Sequence, residues 1–238
     1  MQSDDHRTTG TRVTAAAGVA ALYLAASYVG GVAYFLVALD FPNVTEPLDK
    51  IALFTRHLIG LQIAHLAIHV VFGFALTVLA WGLHERVRAG APGLMRVATS
   101  VALVWGGLLV AVGMATNAGM ETVVALAVDD PDRAVTVWLA VDAITTGLGG
   151  GNGEILGGLW TLLVSVAAWR ARAIPVALSA VGAVAGAAGV ASALPGATVL
   201  IAPFALLQIV WFVGVGIVLL RAPHAAQSDA APRQAGAA

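Results

Sequence analysis

Two histidines four residues apart, His65 and His69, are the residues whose spacing most directly suggests chemistry in this chain. On a helix, imidazoles at i and i+4 share a face about one turn apart, so with Glu154 or Glu121 as a third ligand they would suit a divalent ion. The adjacent glutamate of the zinc-protease motif is missing, and an ion deep in an apolar stretch would be hard to hydrate, so no metal site is expected. Beside a buried carboxyl the same histidines would instead make a proton relay of the kind transporters use. Haem ranks last, because two histidines on one helix do not face each other across a porphyrin. No cofactor is therefore expected.

Other polar residues fall at a similar depth. Gln62 lies within about 60° of both histidines in helical projection. Asn117 and Glu121 are i, i+4 neighbours on the face that carries Gly106 and Gly113. At about 1.5 Å per residue, His65 comes out roughly 10 Å below the outer boundary of a bilayer, His69 roughly 16 Å, Gln208 about 10 Å, Tyr28 about 8 Å and Glu154 about 6 Å. These depths lead to the expectation of a polar pocket on the external side, lined by Tyr28, Gln62, His65, Asn117, Glu121, Glu154 and Gln208. His69 is expected to bond a neighbouring helix. The plainer alternative is that each side chain bonds separately to backbone carbonyls and adjoining helices. Immediately before Glu154 runs Gly147-Leu148-Gly149-Gly150-Gly151-Asn152-Gly153. A helical glycine costs about 1 kcal/mol relative to alanine, so Gly149, Gly150, Gly151 and Gly153 must bend or interrupt a helix and are read as a hinge.

The elements that position these groups follow from composition. The chain has 238 residues, 59% of them hydrophobic and 11% charged, with a mean hydropathy of +0.89. Soluble domains carry roughly 25% charged residues, so an ordinary soluble enzyme, a nucleic-acid binder and a disordered chain are excluded. With no cysteine, disulfides, thiolate nucleophiles, zinc-thiolate sites and palmitoylation are excluded as well.

A membrane-crossing helix needs about 20 mainly apolar residues. Six stretches meet or approach that length: Val13 to Leu39, Leu58 to Leu83, Val97 to Met120, Ile155 to Trp169, Val176 to Leu194, and Val199 to Leu220. The expected fold is all-α, an integral membrane bundle of six transmembrane helices over residues 13–221. A short tail, 1–12, precedes it and a disordered tail, 222–238, follows it. The first stretch is too long for a signal-peptide core and is read as a retained span. The segment from Arg133 to Thr146 is apolar but too short to cross alone. It is either an interfacial or re-entrant helix, or the first half of a broken fourth span. An even number of spans puts both termini on one side, with Arg7, Arg12, Arg86, Arg88, Arg96, Arg170, Arg172, Arg221 and Arg233. The other side has only Lys50, Arg56 and Arg133, so both termini are expected in the cytoplasm of a bacterial cell.

Small-residue patterns, Gly153 with Gly157, Gly182 with Gly186, and Gly106 with Gly113, read as close helix contacts. Such faces would also suit a second copy or another membrane protein. The tryptophans Trp81, Trp105, Trp160, Trp169 and Trp211 are expected to be amphipathic or lipid-facing.

In the C-terminal half, Gly157-Gly158-Leu159-Trp160, the turn Arg170-Ala171-Arg172-Ala173-Ile174-Pro175, and Gln208-Ile209-Val210-Trp211-Phe212 through Gly216 to Arg221 resemble the bacterial domain-of-unknown-function family 4386. The resemblance covers about residues 153–221 and implies a multi-span membrane protein without supplying an activity. The expected partner is the lipid bilayer, and no nucleic acid. Two functions follow: a small proton-coupled transporter using the external-side pocket, or a non-catalytic accessory or sensor subunit that binds another membrane protein. No nucleophile–base arrangement is legible, which leaves an enzyme as the last reading.

Overall fold

The computed structural model describes residues 2–149 and 153–228, with side chains described over 13–149 and 153–221. Among them the chain is helical and contains no strand. Backbone groups in an apolar chain must be satisfied within the chain, and a helix does this segment by segment. Prolines mark several starts, where a missing N–H costs nothing. Pro47, Pro92 and Pro131 open α2 (Pro47–His65), α4 (Pro92–Leu126) and α5 (Pro131–Gly149), and Pro175 stands just before α7 (Val176–Ser192). The others are α1 (Gln2–Gly31), α3 (Phe72–Val87), α6 (Ile155–Ala171) and α8 (Ile201–Ser228).

Two π-helical turns interrupt the regular ladders, Val32–Ala38 after α1 and Leu66–Val71 between α2 and α3. The second has a visible cause. Tyr23 on α1 donates its hydroxyl to the Ala67 carbonyl at 2.7 Å, and the amide of Phe72 reaches the same carbonyl five residues back. An inserted side-chain donor of this kind widens a helical turn.

Four helical stretches are long and apolar enough to cross a membrane: Val13–Ala38, Pro47–Val87, Pro92–Leu126 and Thr198–Arg221. Of the six stretches expected, Ile155–Ala171 and Val176–Ser192 are the shorter, at 17 residues each. Pro47–Val87, at 41 residues, is about twice the length a bilayer core requires. Its bend is at His57, whose φ of −124° and ψ of 19° leave the helical region.

The turn between α3 and α4 meets the turn between α6 and α7, where Gly90 packs on Ala171 and Arg86 donates to the Ala173 carbonyl at 3.0 Å. On α1, Gly18 faces Gly216 and Leu220 of α8, and Ala17 faces Gly82 of α3. Arg86, Arg88, Arg96, Arg170, Arg172 and Arg221 therefore gather at one end of the bundle. Lys50, Arg56 and Arg133 lie at the other.

The segment left open in sequence is a full helix, α5, and its course follows from three contacts. Val141 of α5 meets Gly119, Gly149 meets Val112, and Gly157 of α6 meets Trp105. Falling numbers on α4 pair with rising numbers on α5 and α6, so α5 and α6 both run antiparallel to α4, one after the other.

The core has two parts. Near the arginine end, α1, α3, α4, α6 and α8 enclose Phe72, Leu76, Trp105, Trp160, Trp211 and Phe212. At the far end, α2, α4 and α5 enclose Ile51, Phe54, Leu61, Met120, Val123 and Trp138. Trp105, Trp160 and Trp211 are thus core residues, which corrects the lipid-facing expectation; Trp81 and Trp169 are exposed as expected. Two of these indoles sit deep because glycines give them room: Gly157 against Trp105, and Gly182 against Trp211. At the C-terminus α8 continues to Ser228.

Candidate functional site

Two adjoining cavities lie where the two cores meet. The inner one, about 350 Å³, is bounded by Tyr28 and the first π turn, by His69 and Phe72, by Trp105, and by Gly149 and Glu154. The outer one, about 300 Å³, is bounded by Phe41, Phe54, His65, Trp138, Asp142 and Thr145, among others. Phe35, Ile68, His69 and Gly149 line both. His69 therefore belongs to the wall that the two halves of this cleft share.

The two π turns flank this cleft. Regular i→i+4 bonding would rotate every residue beyond it, so the wider turn at Leu66–Val71 sets the direction in which His69 and Phe72 project. The imidazoles of His65 and His69 are near-parallel, with centroids 5.2 Å apart, and their Nδ1 atoms are 3.3 Å apart. One Nδ1–H donates to the other Nδ1, so the pair shares one proton between two rings. His65 also meets Phe35 edge to face at 5.4 Å. Gly113 allows this approach, because a methyl group there would come within 2.8 Å of the His69 Cβ.

Glu154 closes the inner cavity from the start of α6. Its backbone N–H donates to Ser192 Oγ at 2.9 Å, and its carbonyl accepts from Gly158. Gly153, at φ +130°, packs on the backbone of Ala193, the residue just after α7. Of the expected hinge, Gly149 ends α5 and Gly153 precedes α6, whereas Gly150 and Gly151 lie outside the described residues.

Of the seven residues expected to share a pocket, the structure brings Tyr28, His65 and Glu154 to the cleft and leaves four elsewhere. Asn117 donates from Nδ2 to the backbone carbonyl of Gln62 at 3.1 Å, so these two join α4 to α2 beside the cleft. Glu121 is exposed on the outer face of α4. Gln208 is fully buried between α6 and α8, where Thr161 donates to its Oε1 at 3.0 Å. Depth along the helix for Gln208, and helix face for Gln62, Asn117 and Glu121, suggested a common pocket, but lateral position depends on which helix lies beside which. His69 is corrected too: its side-chain partner is His65 on its own helix.

Sequence reasoning passed over the aromatic shell of the outer cavity and Asp142. The signal was present, since Trp138, Asp142 and Thr145 repeat at helical spacing on α5.

Below the cleft the core is aromatic. Trp105, Trp160, Trp211 and Phe212 pack at centroid separations of 5.5 to 6.3 Å. Within it and beside it, the buried Trp160 Nε1, Trp211 Nε1, Gln208 Nε2, Ser165 Oγ and Ser179 Oγ have no hydrogen-bond partner. Among the described residues no group of three or more histidines and carboxylates is arranged to hold a metal ion. No family model, curated protein or solved structure matches this chain.

Proposed function

We propose that this is a six-span membrane protein, with its arginine end and both termini in the bacterial cytoplasm, that couples proton movement to a small solute. The observation that supports this most is the pair of adjoining cavities, with Asp142 and His65 lining the outer one, Tyr28 and Glu154 the inner one, and His69 on the wall between. A proton taken up at the histidine pair has an acceptor carboxylate on the next element inward. Counting about 20 residues from Arg86, Arg170 and Arg221 brings the outer membrane boundary near residues 66, 150 and 201. The cleft then opens at the boundary, and α2, α5 and the end of α4 stand outside it.

The unpartnered polar groups of α6 and α8 support the same reading. Each costs about 1 to 3 kcal/mol if left unsatisfied, a cost that a polar path from Glu154 toward the arginine end would relieve. The aromatic core between would act as the inner barrier. The accessory-subunit reading draws less support, because Gly106, Gly113, Gly182 and Gly186 are filled by helices of the same chain. The resemblance to family 4386 is compatible with both.

The test is reconstitution into vesicles with an entrapped pH dye, challenged from one side with small amines, carboxylates and sugars in turn. At least one class should drive proton movement, and Glu154→Gln should abolish it while leaving thermal stability unchanged. No proton movement with any class, in protein shown to be inserted, would overturn the proposal.

A further inference from the structure

Resting on that reading of the cleft, we propose that its solute is an organic cation with an apolar body, seated across both cavities. The charges in the lining set the sign. Among the described residues Asp142 and Glu154 are its carboxylates, and no described lysine or arginine lines either cavity. The titratable groups facing the site are Tyr28 from α1, His65 and His69 from the second long helix, Asp142 from α5 and Glu154 before α6. A neutral or anionic solute would leave both carboxylates without a partner.

The aromatic shell sets the rest of the chemistry. Phe54 and Trp138 meet at 4.5 Å between centroids, Phe41 and Phe54 at 6.3 Å, and Phe35 and Phe41 at 5.5 Å. Ring faces attract cations, most strongly where water is scarce. Lys50, which does not line the cavity, holds its Nζ 4.3 Å from the Phe41 centroid, a cation–π contact with one ring of this shell. Cavities of about 350 and 300 Å³ fall in the range used for small organic ligands. Val32 and Leu36, both half exposed, border the inner cavity, which gives an apolar cation a lateral route from the outer leaflet.

The experiment is calorimetric titration of the full chain in lipid nanodiscs with benzyltrimethylammonium, and with phenylacetate as an anion of similar bulk. The cation should bind and phenylacetate should not. Asp142→Asn and Glu154→Gln should each weaken the cation by at least about tenfold, which corresponds to about 1.4 kcal/mol. Glu85→Gln, in an exposed ion pair with Arg88 at the arginine end, should bind like the parent. Asp142 is exposed, so its amide variant keeps the fold and keeps the test decisive even if Glu154→Gln is unstable. Equal binding of both ions, no binding of the cation, or a cation affinity indifferent to Asp142→Asn would overturn the inference. Repeating the titration in buffers of different ionisation enthalpy counts the protons exchanged. Cation binding without proton exchange keeps this site and sinks proton coupling, whereas proton-linked transport of another solute without cation binding does the reverse.

Discussion

Gly153 carries two demands that only glycine meets. Its φ of +130° lies where side chains are strained, and a methyl group there would come within 2.7 Å of the Ala193 backbone nitrogen. Gly196, at φ +80°, has open space around it. Gly153→Ala should therefore lower the melting temperature clearly, by the equivalent of about 3 kcal/mol, and Gly196→Ala by about 1 kcal/mol. Equal losses at the two positions would show that backbone strain alone matters and that the contact with α7 does not. Glu154 and His65 were legible as individual residues because a carboxylate and an imidazole are costly in an apolar stretch. Asp142 carried a weaker signal, its helical spacing with Trp138 and Thr145, because it falls in a segment too short to cross a membrane alone, where an acid carries no such cost.

At the scale of the element, the second π turn is the device that aims the histidine pair. Tyr23→Phe removes the hydroxyl that holds the Ala67 carbonyl, at a cost of about 1 kcal/mol. The larger expected effect is geometric. With the wider turn relaxed, the Nδ1–Nδ1 hydrogen bond between His65 and His69 should be lost, and the ¹⁵N shifts of the imidazoles should change to those of two independent rings. Unchanged shifts would mean that the π turn is held by packing on Gly113 instead. Periodicity could not reveal this turn, since both π segments read as continuous apolar helix. The break between α5 and α6 was legible for the opposite reason, because clustered glycines are expensive in a helix wherever it packs.

For the whole molecule, the gathering of six arginines at one end makes a topology prediction. Cysteines at Ser3 and Asp130 should label from opposite faces of intact vesicles, with Ser3 accessible from the cytoplasm. Labelling from the same face would end the proposed orientation. Cysteines at Arg56 and Arg133 should label with Asp130, since α2 and α5 stand beyond the outer boundary under that threading.

What the sequence by itself determined is the helical class, the places where chain direction changes, and the identity of the groups too costly to face lipid. These follow from composition, from proline and glycine positions, and from the free energy of moving polar groups out of water, all of which act within a few residues. Tertiary structure alone decided the grouping. Gln208 and Glu154 have similar calculated depths, yet one bonds Thr161 inside the bundle and the other borders a cavity with Tyr28. His65 and Asp142 are 77 positions apart, and they line one cavity only because α5 folds back along α4 beside α2. Depth is set along a single helix by a constant rise per residue. Which side chains share a cleft is set by how glycine-lined faces let particular helices approach, and that interaction belongs to no one segment.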